Sequence, residues 1–205
     1  ERAYGQDGEA ILTAIEAAET AGLVFPASGL RSDRYEFSHA LVRQTLLDAL
    51  SASRRQRLHL ALADAMETVR GNDSRYTADI ARHLYDAGPL AEPGRARRFL
   101  FEAGRVAFAT AAADEALEAY NKALELDGAI GDEERARILY HRGTAWRALN
   151  RWDDAAHDWL ESLPVFERLG DGETVARICW DLAYWHSWAN RMKEAEALCN
   201  RGLAA

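Results

Sequence analysis

The 205 residues are 48% hydrophobic and 28% charged, a composition that predicts one or two folded domains and excludes intrinsic disorder. The formal net charge of −8 argues against direct nucleic acid contact, because phosphate binding needs a basic surface. No apolar run approaches the roughly 18–20 residues of a membrane helix. Two cysteines are too few for a disulfide framework and predict a reducing, cytoplasmic location. Only Lys122 and Lys193 are lysines among 25 basic residues, a bias that favours a bacterial source.

The first third of the chain predicts helix, hairpin and helix in succession. A helix capped by Asp7 ends at Gly22, and short strands near 23–25 and 34–37 flank a turn-rich stretch. Ser38 is the predicted cap of the next helix, and another helix runs from about residue 53 to a break at 71–73. This order is typical of the end of a winged-helix module.

From about residue 76 onward the pattern predicts paired helices joined by short turns. They span approximately 76–87, 94–112, 114–127, 133–149, 151–168, 172–189 and 191–203. Pro164 lies within one of them, where we expect a kink or an early end. The chain starts without a methionine and stops within an apolar-periodic stretch, so we expect a fragment of a larger protein.

Four columns of residues repeat in the same register at spacings of 39 and 40. The columns are Gly104, Gly143 and Ala183; Ala116, Ala155 and Ala195; Tyr120, Trp159 and Cys199; and Ala123, Ser162 and Gly202. Small residues allow two helices to approach closely, and the larger side chain fills the space between neighbouring hairpins. The columns therefore predict three stacked helical hairpins.

The best copy, Gly104, Ala116, Tyr120 and Ala123, resembles the tetratricopeptide repeat. The resemblance implies a mainly α fold, in which antiparallel helix hairpins form a superhelix. The period exceeds the usual ~34 residues, and longer helices of this kind resemble those of large bacterial signalling ATPases. In the third copy Ala183 replaces the glycine and Cys199 the aromatic residue, so its boundaries are the least defined.

The run YEFSHALVRQ at 35–44, followed by RRQRLH at 54–59, resembles the end of the winged-helix domain in STAND-type signalling ATPases. That family includes large ATP-binding LuxR-type transcriptional regulators and multi-domain adenylyl cyclases. The resemblance implies a partial winged-helix module at 1–52, connecting helices at 53–93 and repeats at 94–205. It also implies a nucleotide-sensing histidine, His39, that contacts ATP or ADP held by an ATPase module of the parent chain. The alternative is that His39 only caps a helix, and the chain itself lacks a phosphate-binding G-x-x-x-x-G-K-[ST] loop, so we expect no cofactor here.

The tetratricopeptide register places one face of each first helix on a concave groove. Its candidate partner-binding residues are Arg98, Phe101, Arg105, Phe108, Arg137, Tyr140, Arg147, Arg177, Trp180, Tyr184 and Trp188. Arginines beside aromatic rings suit a protein or an acidic, partly apolar peptide, or a small anionic or aromatic effector. The alternative is that the rings form core between repeats and the arginines pair with local carboxylates. The same two interpretations apply to the six tryptophans, which all lie between Trp146 and Trp188.

The sequence offers no support for catalysis or metal binding. The six histidines lack metal-ligand spacing, and there is no G-x-S-x-G nucleophile motif. We therefore expect a non-enzymatic regulatory segment whose repeats bind a protein or ligand and control transcription or signalling. A constitutive scaffold that binds a protein without any nucleotide switch is the alternative.

Overall fold

The computed structural model describes residues 8–27, 35–70 and 73–205, and these are mainly helical. The helices are α1 (Gly8–Thr20), α2 (Ala40–Asp48), α3 (Ala52–Arg70), α4 (Thr77–Asp86), α5 (Pro93–Ala109), α6 (Ala113–Glu125), α7 (Asp132–Ala148), α8 (Trp152–Leu169), α9 (Gly172–Trp188) and α10 (Met192–Leu203). The strands are β1 (Val24–Pro26) and β2 (Tyr35–Phe37), and short 3-10 helices span Ser74–Tyr76 and Gly88–Leu90. The predicted fold class is confirmed: helices pack in adjacent antiparallel pairs, with one β-hairpin.

The chain divides into two compact units, Glu1–Ala91 and Glu92–Ala205. In the first unit β1 and β2 pair antiparallel, with Val24 opposite Phe37. The core of this unit lies between α3 and α4, where Ile80 and Leu84 are fully buried. By contrast, α1 and α2 contain no buried residue.

Two predicted features of the first unit differ in detail. Ser38 was the predicted cap of α2, but the N-cap residue is His39, with an extended backbone and no side-chain hydrogen bond to the helix. The prediction failed because two residues separate β2 from α2: Ser38 lies in a bend, and the backbone is still extended at His39 before the helix begins. The predicted cap Asp7, the whole predicted turn, 28–33, and Arg34, the first residue of the second predicted strand, lie outside the described residues.

The second unit consists of three helical hairpins, α5–α6, α7–α8 and α9–α10. Each turn contains a residue in the left-handed region, namely Ala111, Asn150 and Asn190, with φ of 63°, 60° and 58°. These residues are spaced by 39 and 40, like the sequence columns. The backbone therefore repeats together with the side chains.

The glycine column allows the close helix contact that the repeat predicts. A Cβ atom on Gly104 would lie 2.4 Å from the ring of Tyr120, and one on Gly143 would lie 2.6 Å from the indole of Trp159. Both rings are 1% exposed. Each glycine thus makes room for the large side chain of the second helix in its hairpin.

Pro164 does not end α8, which continues to Leu169. A proline leaves the carbonyl four residues before it without its helical partner. Here that residue is Leu160, and both Leu160 and Pro164 are exposed. Water can therefore bind the carbonyl, which removes the reason to expect an early end.

Candidate partner-binding groove

A groove of about 440 Å³ lies between the first helices of the second and third hairpins. α7 contributes Tyr140, Thr144 and Arg147. The residues from α9 are Glu173, Ala176, Arg177, Trp180 and Asp181. Four of the predicted partner-binding residues, Tyr140, Arg147, Arg177 and Trp180, are thus brought together here.

The charges in this groove are balanced. Arg147 Nη1 donates to Asp181 Oδ1 at 2.9 Å, and Asp181 is only 9% exposed. Desolvation raises the pKa of Asp181, and the neighbouring Arg147 opposes that rise. Arg177 and Glu173 approach within 3.7 Å and are both largely exposed. The Arg177–Glu173 pair is weak because exposed ion pairs are typically worth less than about 1 kcal/mol.

Tyr140 forms the apolar wall of the groove. Its ring meets Phe166 edge-on, with centroids 5.9 Å apart, and burial raises the pKa of its hydroxyl. Its backbone carbonyl accepts a hydrogen bond from Trp159 Nε1 at 3.2 Å. The ring is therefore held by the core behind it, while Trp180 opposite is 69% exposed.

A second cleft, of about 330 Å³, lies at the C-terminal end of α9. It is lined by Asn150, Trp152, Tyr184, Trp185 and Trp188. Tyr184 lies 5.6 Å from Trp152 and 6.1 Å from Trp188, measured between ring centroids. Two further predicted residues, Tyr184 and Trp188, thus line this cleft rather than the groove.

The predicted residues Arg98, Phe101, Arg105, Phe108 and Arg137 lie outside both cavities. Phe101 and Phe108 are half-buried, and the Phe101 ring lies 5.2 Å from that of His141. Arg105 pairs with Glu102, and Arg137 pairs with Glu133. The guanidinium of Arg98 lies 5.2 Å from the ring of Phe99. Arg105 and Arg137 therefore have the local carboxylate partners that the alternative interpretation expected, and Arg98 contacts an aromatic ring.

Some of the six tryptophans fit the interpretation as core, and others fit the interpretation as an exposed partner-binding surface. Trp159 is core, Trp180 and Trp188 are exposed, and the remaining three are half-buried. Arg151 stacks on Trp146, with its guanidinium 4.0 Å from the ring centroid, and Arg191 lies 5.4 Å from Trp185.

Sequence reasoning missed Asp181 as a groove residue and Trp152 as a wall of the second cleft. Asp181 is one residue beyond Trp180, and a carboxylate in a helix is usually read as solvent-exposed. One sequence signal could have located Asp181. Arg147 belonged to the predicted face, and an arginine on such a face needs a carboxylate partner on the neighbouring helix.

In the first unit, His39 is exposed and lies between β2 and α2, one residue after Ser38. Elsewhere in that unit, His59 Nδ1 and His83 Nδ1 lie 2.8 Å apart and join α3 to α4. Among the described residues, no three His, Cys, Asp or Glu side chains are grouped so that they could hold a metal ion. Within the same residues, none of the helices has both the length and the apolar character that crossing a bilayer requires.

Comparison with known proteins gives likeness only among solved structures. No protein-family model matches the chain, and no curated protein matches it. The crystal structure of MamA is similar, with a TM-score of 0.44 and 12% sequence identity, over 82% of this chain and 95% of that chain. So distant a likeness carries nothing about function, and the fold assignment rests on the helices described above.

Proposed function

We propose that this chain is a non-catalytic regulatory segment whose helical repeats bind a protein partner in the groove between α7 and α9. The observation that supports this is the convergence of Tyr140, Arg147 and Arg177 from two separate hairpins on one cavity. A groove assembled across a hairpin boundary presents a surface that neither hairpin has alone.

The chemistry of the groove fits an extended peptide that carries acidic and apolar side chains. The rings of Tyr140 and Trp180 supply contact area at a low cost in conformational entropy. Arg147 donates to Asp181 through Nη1, and Arg177 is weakly paired. Both guanidinium groups can therefore donate to a carboxylate of the partner.

The test is selection of random twelve-residue linear peptides on the full chain. We expect the enriched peptides to lose about tenfold in affinity, roughly 1.4 kcal/mol, when Tyr140→Ala or Arg147→Ala is introduced. Affinity is measured by fluorescence polarisation with each labelled peptide. The same assay with a small aromatic carboxylate as the probe distinguishes a peptide site from an effector site.

Arg168→Ala is the matched control, because Arg168 is exposed and pairs with Asp132 away from the groove. Its affinity should equal that of the unaltered chain. Peptides that bind equally well to folded Tyr140→Ala and Arg147→Ala variants would refute the groove as the partner site.

A second candidate function, nucleotide-controlled regulation in a STAND-type ATPase, concerns the first unit. It is supported by the order α1, hairpin, α2 and by His39, which is exposed at the start of α2 without a cap hydrogen bond. On this proposal His39 contacts the phosphates of ADP held by an ATPase module, and partner binding releases that resting state. The output is transcription or cyclic-nucleotide synthesis.

The gene that encodes this chain decides between the switch and the constitutive scaffold. If it also encodes a phosphate-binding loop, His39→Ala in the encoded protein should weaken ADP binding, measured by calorimetry. His157→Ala, an exposed histidine of α8, serves as the control. Unchanged ADP affinity in the His39 variant would leave the scaffold as the surviving interpretation.

A further inference from the structure

The second cleft differs in composition from the equivalent place one hairpin earlier. It lies where the third hairpin meets the second, and its lining residues are Asn150, Trp152, Tyr184, Trp185 and Trp188. The residues with the same register positions, 39 or 40 residues earlier, are all small, namely Ala111, Ala113, Thr144, Ala145 and Ala148. The stacking of one hairpin on the next therefore does not need aromatic rings at these positions.

The boundary between the first two hairpins also shows what a following hairpin leaves exposed. Ala111 and Ala148 have the positions of Asn150 and Trp188, and both are exposed although the α9–α10 hairpin follows them. This part of the repeat is therefore open to solvent even where the stack continues. A hairpin stacked after α10 in the same register would leave the second cleft accessible.

The walls of the second cleft are held by the core and by the turn before α8. Trp152 and Trp185 are half-buried and pack against the core cluster formed by α7, α8 and α9. Trp152 Nε1 also donates to Asn150 Oδ1 at 3.0 Å. The cleft is therefore preformed, and its volume of about 330 Å³ is at the lower end of the range for small-molecule sites.

The polar groups that line the second cleft are mainly hydrogen-bond donors. Because the Asn150 oxygen accepts from Trp152, the NH₂ end of this amide is the one that can donate to a ligand. Indole N–H groups can only donate, and the hydroxyl of Tyr184 can donate as well. None of the five lining residues is acidic. These groups favour a ligand that carries acceptor oxygens.

The charge beside the second cleft favours an anion. The guanidinium of Arg191 lies 5.4 Å from the centroid of Trp185, which is one wall of the cleft. Arg151, by contrast, pairs with Asp154 at 2.7 Å. A positively charged ligand would meet Arg191 without a lining carboxylate to offset the repulsion, whereas an anion is attracted by it.

We propose that the second cleft binds a small planar aromatic molecule that carries a carboxylate. Its ring packs against the rings of Trp152, Tyr184 and Trp188 in the offset or edge-on geometry that aromatic pairs prefer. Its carboxylate accepts from the amide of Asn150 on the side of Arg191. The inference does not depend on peptide binding in the α7–α9 groove.

The first test compares three probes by isothermal titration calorimetry on the full chain. 2-Naphthoate is the aromatic carboxylate, 2-naphthylmethylammonium has the same ring with a positive charge, and decahydro-2-naphthoate has the same charge without the aromatic ring. We expect 2-naphthoate to bind at least about tenfold more tightly than either of the others. Equal affinity for the ammonium probe, or a Kd for 2-naphthoate weaker than about 1 mM, would overturn the proposal.

The second test changes the exposed walls to the residues found one hairpin earlier. Tyr184→Thr and Trp188→Ala introduce the side chains of Thr144 and Ala148, which the repeat already accommodates at these positions. Each change should weaken 2-naphthoate binding at least about tenfold. Leu169→Ala is the control, because Leu169 is exposed at the opposite end of α8 from Trp152. Undiminished binding by the folded Tyr184→Thr and Trp188→Ala variants would refute the site.

A third measurement locates the ligand without any change to the cleft. The indole N–H resonances of the six tryptophans are followed by NMR during titration with 2-naphthoate. We expect Trp152, Trp185 and Trp188 to shift and the core residue Trp159 to stay unchanged. Shifts confined to Trp180 would place the ligand in the α7–α9 groove and overturn the assignment. Selected linear peptides that lose affinity with Trp188→Ala would identify an extended occupant of the cleft, which also overturns it.

Discussion

At the scale of single residues, the positions of the glycine column cannot accept a larger side chain without disturbing the packing. Gly104 is buried within α5, and only the absence of a side chain lets Tyr120 approach so closely. Glycine costs a helix interior about 1 kcal/mol relative to alanine. That cost is offset because the Tyr120 ring is fully packed in the space the glycine leaves.

Gly104→Ala should destabilise the chain by about 2 kcal/mol, because overpacking a core costs typically 1–3 kcal/mol and outweighs the gain in helix propensity. The free energy of unfolding in urea measures the change. Gly131→Ala is the control, since a Cβ there meets nothing within 4 Å. The double variant with Tyr120→Leu should recover part of the loss. A Gly104→Ala variant as stable as the unaltered chain would contradict the packing argument.

How far the sequence predicts the site is also decided by individual residues. The register of small and large side chains located Tyr140, Arg147, Arg177 and Trp180, which do meet in one groove. Phe101 obeys the same register but is largely covered by His141, a contact between hairpins that helical periodicity does not contain. Periodicity defines the face of a helix, but the next helix determines how much of that face remains exposed.

At the scale of elements, two of the ion pairs that join α7 to α8 differ greatly in burial. Arg142 donates through Nε and Nη2 to both oxygens of Asp158, at 2.7 and 2.6 Å, and Asp158 is 1% exposed. Arg135 and Glu161 form the second pair and are both about 40% exposed. The sequence did not indicate this difference. Charged residues in a helix have the same sequence pattern whether or not another hairpin covers them.

Arg142→Ala should cost about 3–5 kcal/mol, because it leaves the buried carboxylate of Asp158 without its partner. Arg135→Ala, in the matched exposed pair, should cost less than about 1 kcal/mol. Urea unfolding of both variants measures the difference. Replacing both partners, Arg142→Met with Asp158→Leu, should be less destabilising than Arg142→Ala alone. Equal effects of Arg142→Ala and Arg135→Ala would show that burial of the pair does not determine its contribution.

Element boundaries were predictable to within a few residues because glycine, proline and capping residues mark them. The β-hairpin was predicted from two short apolar strands around a turn-rich segment, and β1 and β2 pair as expected. Of the kink or early end predicted at Pro164, the early end does not occur, because the consequence of a proline depends on exposure. That exposure is a property of packing between helices rather than of the local sequence.

At the scale of the whole molecule, stability should depend on pH through two half-buried histidines, His141 and His83. His141 packs among the rings of Phe101, Tyr120 and Tyr140. Its pKa is lowered to about 4, mainly by burial and also by Arg105, while Glu102 opposes the shift. In the first unit, burial also lowers the pKa of His83, helped by Arg82 and His59. Both units therefore favour neutral histidine in the folded state.

The sign of the effect follows from where the proton binds. Between pH 6.5 and about 4 the unfolded chain protonates His141 while the folded chain does not. The contribution of His141 to stability is therefore fully present above pH 6.5 and is lost as the pH falls toward 4. For a depression of this size the loss is about 3 kcal/mol.

His141→Phe, which keeps an aromatic ring between α5 and α7, should flatten the decline in unfolding free energy between pH 7 and pH 4. His83 continues to contribute, so part of the decline should remain. Urea unfolding at each pH gives the slope, and His157→Gln, at an exposed position of α8, should leave it unchanged. If His141→Phe and His157→Gln have the same slope, the imidazole of His141 is protonated in the folded state as readily as in the unfolded chain. Its packing between the first two hairpins would then be looser than the ring distances indicate.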